Sequence, residues 1–276
     1  TVVLTSATLQ IGGSMDDTAR TVGLIAERKI PEFQDAEVDD DPWGEDQIDW
    51  QALDVGSPFD YGRQGILYCA SHLPRPGQDG VDESTFDELA ELIEAAGGRS
   101  LCLFSSWRSV ERASEYLSVR LARRADIEII TAKRGDPTSA LVDKFKANER
   151  SVLLGTRSFW QGIDVPGPAC MLVAIDRIPF PRPDEPVYAA RSARADELGQ
   201  SGFNSVSVPR AGLLLAQGVG RLIRSMDDRG VAAVLDSRLA TAGYGNRLRK
   251  SLPEMFWTTD KESVLAALRR LDETHS

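Results

Sequence analysis

The sequence lacks the glycine-rich loop with which many nucleotide hydrolases hold the phosphates of ATP. No G-x-x-x-x-G-K-[ST] pattern occurs in its 276 residues, and glycine is nowhere followed by lysine. Such a loop surrounds the phosphates with backbone N–H groups and a lysine charge. The letters D-E-T-H at residues 272–275 match an acidic metal-binding box, but they end the chain in a predicted helix, and we interpret the match as coincidence. The chain alone is not expected to hydrolyse ATP.

Cysteine and histidine are scarce. The three cysteines, Cys69, Cys102 and Cys170, lie far apart among apolar residues, and no C-x-x-C pair occurs. With only His72 and His275 as histidines, neither a zinc site nor a Ser-His-Asp or Cys-His catalytic set is indicated. We predict no metal in this chain and three buried, reduced thiols, as expected of a cytoplasmic protein.

Long apolar runs are also missing. No segment approaches the roughly 20 residues that a membrane-spanning helix requires, and the first residues do not resemble a signal peptide. We therefore predict no membrane association. The chain begins with Thr instead of Met, inside a predicted strand, and we expect it to be a fragment of a longer protein.

Basic residues are absent from residues 31–54, a stretch that holds ten acids. The formal net charge of the chain is −10, so these ten acids account for the whole excess of acids over bases. Outside residues 31–54 the acidic and basic residues are equal in number, and a local basic surface is possible there. We interpret the stretch as a solvated loop rather than a specific binding segment. Trp43 and Trp50 indicate that its end docks on the protein.

Short, β-branched apolar runs alternate with helical patterns along the rest of the chain, which is typical of a parallel sheet with helices on both faces. The predicted strands are residues 2–5, 66–70, 100–105, 127–131, 151–155, 169–175 and 231–235. The later predicted helices are residues 185–198, 209–225 and 261–271. Earlier in the chain, Ser106 is a candidate helix N-cap, and the pair Gly97-Gly98 is a helix stop signal.

The strongest functional pattern is QGVGRLIR at residues 217–224. Within the predicted helix 209–225, Arg221 and Arg224 lie three residues apart on one face. Two adjacent guanidinium groups match the geometry of a phosphate chain. The alternative is an exposed helix whose arginines pair with Asp227 and Asp228, and the residues alone leave both interpretations open.

This Q-x-x-G-R-x-x-R pattern, followed by L-D-S-R at residues 235–238, resembles motif VI of superfamily 2 helicases of the DinG/XPD branch. The resemblance implies an α/β fold of RecA-like, P-loop NTPase type, here the second motor domain without its own P-loop. It also implies that Arg224 is an arginine finger and Arg221 its partner on the γ-phosphate of ATP. Gln217 and Gly220 would lie close to the same nucleotide.

A second segment, residues 155–167, follows a predicted strand and resembles the family's motif V, with Gln161 where the family more often has Glu. By this resemblance Gly162 and Asp164 lie toward ATP. The residues that would lie toward single-stranded DNA are Thr156, Arg157, Ser158 and Trp160. Phe159 is instead a candidate core aromatic. The following IPFPRP, residues 178–183, matches the family's L-P-F-x-x-P and predicts a stiff, extended connector.

Three weaker matches follow the family order. Residues 4–9 resemble motif III, in which Ser6 and Thr8 would couple the ATP state to domain movement, and residues 56–61 resemble the start of the second domain. Residues 104–107 resemble motif IV, where Ser105 and Ser106 would present hydroxyls and free backbone N–H groups to a DNA phosphate; for Ser106 a helix cap alone is the alternative. The implied division is residues 1–13 as the end of the first motor domain, 14–56 as an acidic linker and 57–276 as the second RecA-like domain.

The resemblance implies the C-terminal motor half of an ATP-dependent DNA helicase, with 5′→3′ polarity and a role in DNA repair or replication stress at the cytoplasmic nucleoid. ATP and Mg²⁺ would be bound mainly by an N-terminal helicase domain of the same polypeptide, and single-stranded or forked DNA would be the partner. An iron–sulfur cluster, where relatives carry one, would lie in that domain and not in this chain. The alternatives are a non-catalytic nucleic-acid-binding or regulatory module with this fold, and an unrelated α/β enzyme.

Overall fold

The computed structural model describes residues 2–6, 8, 10–24, 29–30, 48–77, 80–156, 159, 167 and 169–275. Its strands are β1 (Gly65–Cys69), β2 (Ser100–Leu103), β3 (Glu128–Thr131), β4 (Ser151–Gly155), β5 (Leu172–Ile175), β6 (Gly230–Val234) and β7 (Phe256–Thr258). Its helices are α1 (Asp16–Thr21), α2 (Tyr61–Gln64), α3 (Glu83–Ala95), α4 (Trp107–Arg120), α5 (Thr138–Ala147), α6 (Pro186–Glu197), α7 (Val208–Val219), α8 (Arg238–Thr241), α9 (Gly245–Arg249) and α10 (Lys261–His275). A π-helix, Phe203–Ser207, leads directly into α7.

The strands form one sheet in the order β3-β4-β2-β5-β6-β1-β7, and every pairing in it is parallel. Strands β2, β4, β5 and β6 are buried at every residue. They read as continuous apolar runs because both of their faces are covered. One face packs against α5 and α7, and the other packs against α3, α4 and α10. The predicted parallel sheet with helices on both faces is confirmed.

Six of the seven predicted strands are present, with ends that differ by no more than three residues. The predicted strand at residues 2–5 is wrong. No strand in the described part of the chain pairs with it, and Val2, Val3 and Leu4 are largely exposed, because a strand persists only beside a hydrogen-bonded neighbour. Strand β7 pairs with β1 at one side of the sheet, but its three residues are too few for an alternating pattern to predict it.

Helix ends follow the capping residues. Helix α4 begins after Ser106, whose hydroxyl accepts a hydrogen bond from the Ser109 N–H at 3.1 Å, which confirms the predicted N-cap. Helix α3 is stopped by Gly97 and Gly98, which have φ values of +62° and +91°. This left-handed conformation favours glycine and gives the predicted stop.

The letters D-E-T-H at the end of the chain belong to α10 and serve the fold. The buried Arg99 guanidinium donates hydrogen bonds to Glu149 (2.8 Å), Asp272 (3.2 Å) and the His275 carbonyl (3.1 Å). Asp272 is therefore a counterion that holds the end of α10 against the start of β2, which supports the interpretation of the match as coincidence. Among the described residues, no group of three or more His, Cys, Asp or Glu side chains could hold a metal ion.

The three cysteines are buried, as predicted. Burial raises the pKa of the Cys69 and Cys170 thiols to about 12, so both stay protonated and unreactive near neutral pH. In the part of the chain that the structure describes, no helix has both the length and the apolar character that crossing a membrane requires.

The segment before β1 docks on the rest of the domain. Asp17 of α1 forms an ion pair with Arg247 of α9. Trp50 is buried, and the Lys29 ammonium lies 5.2 Å from its ring centroid. The predicted docking of the end of the acidic stretch is confirmed at Trp50, whereas Trp43 lies outside the described residues.

Candidate functional site

Five described residues of the motif IV, V and VI patterns lie at opposite edges of the sheet. The carboxyl ends of β2 and β4 lead directly to Ser105, Ser106 and Thr156. Arg221 and Arg224 lie in the loop between α7 and β6, where β6 starts. Because all the strands are parallel, the first group occupies the carboxyl edge of the sheet and the second group the amino edge.

The predicted helix over residues 209–225 is too long. Helix α7 ends at Val219, and the Gly220 N–H closes its last turn by donating to the Ala216 carbonyl at 2.8 Å. Arg221 and Arg224 are therefore not on one helical face, as their spacing predicts. They lie on a partly buried loop, residues 220–229, which we call the arginine loop.

The Asp228 carboxylate organises the arginine loop. It is buried and accepts hydrogen bonds from the Arg224 N–H (2.6 Å), the Ser225 N–H (2.7 Å) and the Ser225 hydroxyl (2.8 Å). A fourth donor, the Gly167 N–H at 3.0 Å, comes from the end of the motif V segment. Asp228 thus fixes the backbone of the arginine loop. The alternative given above assigned Asp228 only as an ion-pair partner of the two arginines. Asp227 beside it is exposed.

Gln64, the residue before β1, supports the same loop from the other side. Its buried side-chain amide donates to the carbonyls of Ser225 (3.0 Å), Met226 (3.1 Å) and Asp228 (3.2 Å). The sequence patterns do not point to Gln64. The available signal is slight: a single polar residue directly before an apolar strand.

The motif V segment connects the two edges. Thr156 is buried immediately after β4 at the carboxyl edge, and Gly167 contacts Asp228 at the amino edge. Phe159 is buried among the residues that pack under α7, which confirms it as a core aromatic. A methyl group on Gly155 would lie 2.4 Å from the Phe159 ring, so only glycine fits there. The other predicted site residues of this segment, Arg157, Ser158, Trp160, Gly162 and Asp164, lie outside the described residues.

Ser105 does not present its donors to a ligand as predicted. Its backbone N–H and its hydroxyl both donate to the Asp176 carboxylate, each at 3.0 Å. The expectation of a free N–H and hydroxyl at Ser105 is therefore wrong, because a buried carboxylate from the neighbouring strand β5 needs those donors. Ser106 serves as the helix cap described above.

Asp176 and Arg177 follow β5 and complete the carboxyl edge. Asp176 is buried, and burial raises the pKa of its carboxyl to about 6, although hydrogen bonds from Ser105 and the nearby Arg177 charge act in the opposite direction. The Arg177 Nε donates to the Ser105 hydroxyl oxygen at 2.6 Å. Neither residue belongs to the patterns used in the sequence analysis. A carboxylate and a guanidinium directly after a buried strand were the signal available for them.

The burial of Asp176 predicts a pH dependence of stability. Its pKa in the folded state, about 6, lies above the ordinary value of 3.8, so the folded state holds the proton more tightly and is favoured at low pH. The test compares the free energy of unfolding of the wild type with that of Asp176→Asn. We expect the stability advantage of the wild type over this variant to fall by up to about 3 kcal/mol as the pH rises from about 4 to about 7. Urea unfolding at a series of pH values measures this difference.

Asp126→Asn provides a comparison of opposite sign. A hydrogen bond from Arg124 lowers the pKa of Asp126 to about 2, so its contribution to stability is lost as the pH falls. A wild-type advantage over Asp176→Asn that stays constant across the pH range would contradict a raised pKa for Asp176.

The IPFPRP connector is fixed to the carboxyl edge as well. The Asp236 carboxylate, directly after β6, accepts hydrogen bonds from the Ile178 N–H (2.9 Å) and from the Arg238 guanidinium (2.7 Å). The rings of Phe180, Phe203 and Tyr244 contact one another with centroids 5.2 to 5.5 Å apart. Polar and aromatic contacts therefore hold the connector, and the Phe180 N–H turns back to donate to the Ile178 carbonyl at 2.9 Å. Its stiff, extended form stays a prediction.

Ser6 and Thr8, the predicted coupling residues, bond to each other. The Thr8 N–H donates to the Ser6 hydroxyl at 3.2 Å, and the two hydroxyls lie 3.4 Å apart. In the described part of the chain, neither residue hydrogen-bonds to a residue of the carboxyl or amino edge.

Comparisons with known proteins agree with this architecture. The family described as the helicase C-terminal domain matches residues 89–255. The chain is 51% identical to the ATP-dependent helicase DinG of Mycobacterium tuberculosis strain H37Rv over 272 residues, covering 98% of this chain and 37% of that protein. It is 34% identical to the ATP-dependent DNA helicase YoaA of Haemophilus influenzae, covering 97% of this chain and 37% of that protein.

The fold is similar to that of S. tokodaii Xpd4, with a TM-score of 0.53 and 16% identity, over 76% of this chain and 40% of that chain. This likeness concerns the fold alone, and it agrees with a RecA-like domain. The chain spans little more than a third of the length of the curated relatives it matches. On the match to residues 89–255 and the identity to DinG, the chain belongs to the helicase C-terminal domain family and is a DinG-like member of it.

Proposed function

We propose that this chain is the C-terminal motor half of an ATP-dependent DNA helicase. It would supply an arginine finger to an ATP site held mainly by an N-terminal helicase domain of the same polypeptide, and it would contact single-stranded or forked DNA. The observation that carries the proposal is the separation of two polar groups to opposite edges of one sheet. The motif V segment joins them, with Thr156 at one edge and Gly167 at the other.

The amino edge suits a nucleotide phosphate chain. Arg224 and Arg221 lie on a loop whose backbone is held by the buried Asp228 and Gln64, so their positions are set before a ligand arrives. Guanidinium groups bind phosphate oxygens through two parallel hydrogen bonds. We assign Arg224 as the finger and Arg221 as its partner on the γ-phosphate, with Gln217 and Gly220 beside them and Gly162 and Asp164 toward the same nucleotide.

The residues assigned at the amino edge can form only part of an ATP site. The chain has no glycine-rich loop, so the remaining phosphate contacts would come from the other domain. Mg²⁺ bound with ATP neutralises charge on the β- and γ-phosphates. What this chain adds is positive charge at the oxygens of the transferring phosphoryl group.

The carboxyl edge suits a nucleic-acid backbone. Ser106 and Thr156 lie on neighbouring strand ends, where hydroxyl and backbone N–H groups are typical phosphate contacts. We assign Ser106, Thr156, Arg157, Ser158 and Trp160 to the DNA contact surface, and we leave Ser105 out because its donors bind Asp176. Closing and opening of the two domains around ATP would then move the strand past these residues.

The polarity and the cellular setting are part of the proposal and rest on the resemblance to DinG/XPD helicases. We propose 5′→3′ movement, a role in DNA repair or replication stress, and a place in the cytoplasm at the nucleoid, in keeping with three buried, free cysteines. Ser6 and Thr8 would couple the nucleotide state to domain movement, and residues 1–13 would end the first motor domain. An iron–sulfur cluster, if the whole protein has one, would lie outside this chain.

An exchange protein tests the proposal. In it, this chain replaces the matched 272-residue region of the M. tuberculosis DinG relative. The isolated chain is expected to show no ATP turnover above buffer, and the exchange protein is expected to hydrolyse ATP faster when single-stranded DNA is added. Turnover by the isolated chain would refute the two-half site. DNA binding by a folded exchange protein without hydrolysis would favour the non-catalytic module.

A further inference from the structure

The carboxyl edge carries a guanidinium whose outer end is available. Arg177 is 23% exposed and sits directly after the buried residue Asp176. Its Nε is bound to the Ser105 hydroxyl at 2.6 Å. Among the residues that the structure describes, none accepts a hydrogen bond from either Nη atom of Arg177, and neither atom is buried without a partner. Toward the described part of the chain, both Nη groups therefore keep their donors unused.

A chain of hydrogen bonds holds this guanidinium in place. Asp176 accepts hydrogen bonds from the Arg177 N–H (2.7 Å) and from the Ser105 N–H and hydroxyl (each 3.0 Å). The Ser105 oxygen in turn accepts from the Arg177 Nε, which lies 3.8 Å from the Asp176 carboxylate. The buried carboxylate thus faces the Nε side of the guanidinium and fixes its orientation.

The sheet register places Arg177 in line with the proposed DNA contacts. Leu103 of β2 is paired with Gly155 of β4 on one side and with Ile175 of β5 on the other. Thr156, Ser105 and Arg177 follow these three residues by one or two positions. Neighbouring strands lie about 4.8 Å apart, so the three residues form a row about 10 Å long. A nucleic-acid backbone that crosses Thr156 and Ser106 would reach Arg177 as well.

We propose that Arg177 binds a backbone phosphate of single-stranded DNA and that Ser105 and Asp176 are positioning residues for it. The inference rests on the proposed function, because it extends the proposed DNA surface by one strand. The Nη donors of Arg177, which bind none of the described residues, offer the paired N–H geometry that matches two phosphate oxygens. Ser105 then acts through Arg177, since its own donors are committed to Asp176.

Salt-dependent binding tests the proposal. The isolated chain is titrated into a fluorescein-labelled single-stranded oligonucleotide, and anisotropy gives Kd at several salt concentrations from about 50 to 200 mM. Arg177→Gln is expected to raise Kd by about tenfold and to lower the slope of log K against log salt by about 0.7, the value for one phosphate contact on a single strand. Arg177→Lys retains the charge and should restore the slope while recovering only part of the affinity.

Arg123→Gln is the matched control. Arg123 is exposed in the turn between α4 and β3, at the amino edge, and its loss changes the net charge equally. We expect its Kd and slope to equal those of the wild type. A weaker Kd for Arg177→Gln with an unchanged slope would show a structural role only and overturn the proposal, as would equal effects of the two substitutions.

Ser105→Ala separates positioning from direct contact. The substitution leaves the Arg177 charge in place, so we expect Kd to rise by about two- to fourfold with the slope unchanged. A slope that falls as much as in Arg177→Gln would contradict the positioning role of Ser105. If the wild-type chain does not bind the oligonucleotide at any salt concentration, the proposed function itself fails; binding that is insensitive to Arg177 defeats this inference alone.

Discussion

Replacing Arg224 by Ala in the exchange protein is expected to lower the DNA-stimulated kcat for ATP hydrolysis by about a thousandfold or more. An arginine finger contributes roughly 10³ to 10⁵ in rate, because it stabilises charge that develops on the transferring phosphoryl group. Nucleotide affinity should fall by less than about tenfold, since in the proposed function the other domain holds most of the phosphate contacts. Steady-state kinetics and equilibrium nucleotide binding measure the two effects separately.

Two further variants sharpen this test. Arg224→Lys keeps the charge but not the planar pair of donors, and we expect it to recover little activity. Arg194→Ala is the control, because Arg194 lies exposed on α6 in a surface ion pair with Glu197 at 3.1 Å, and its kcat should stay within about twofold of wild type. Unimpaired ATP hydrolysis by Arg224→Ala would show that Arg224 is not an arginine finger. An equal loss of binding and turnover would make Arg224 a ground-state binding residue.

The second large effect is expected from Asp228→Ala in the isolated chain. Three backbone N–H groups and the Ser225 hydroxyl would lose their common acceptor. Each donor left unsatisfied in a buried place costs about 1 to 3 kcal/mol, and partial access to water reduces the sum. We expect the free energy of unfolding to fall by about 3 kcal/mol and the Tm by roughly 6 to 12 °C. Urea and thermal unfolding measure both.

Asp227→Ala is the control for this substitution. Asp227 is adjacent and exposed, and its loss changes the net charge equally, so its effect on stability should stay within about 0.5 kcal/mol. In the exchange protein, Asp228→Ala should also lower kcat, because the Arg224 backbone would lose the hydrogen bond that positions it. Equal stability of the two variants would show that Asp228 does not hold the arginine loop.

Where a segment's own side chains determine its structure, the sequence was sufficient to predict the fold. Strand β4 has the sequence SVLLG and is buried on both faces. Helix α3 ends because the glycine pair that follows it adopts positive φ values. Residues 2–5 carry an equally good strand pattern and form no strand. Pairing depends on a neighbour supplied by distant parts of a chain, and a local pattern cannot report whether that neighbour is there.

The candidate site was predictable to a different extent. The pattern at residues 217–224 identified Arg221 and Arg224 but predicted the wrong backbone, since a helical spacing does not reveal that Asp228 will bind the N–H groups of Arg224 and Ser225. Ser105 and Asp176 lie 71 residues apart in the chain and meet only because β2 and β5 are neighbours in the sheet. No spacing rule in the sequence indicates such a contact.

The position of β1 has a consequence for how the domain folds. The family match covers residues 89–255, yet β1 lies before that range and is paired along its whole length with β6. β7 and α10 lie after it, and α10 packs against α3. A polypeptide cut to the matched range would leave the apolar strand β6 as an open edge, which is a template for aggregation. We therefore expect a stable fragment of this chain to include β1, β7 and α10.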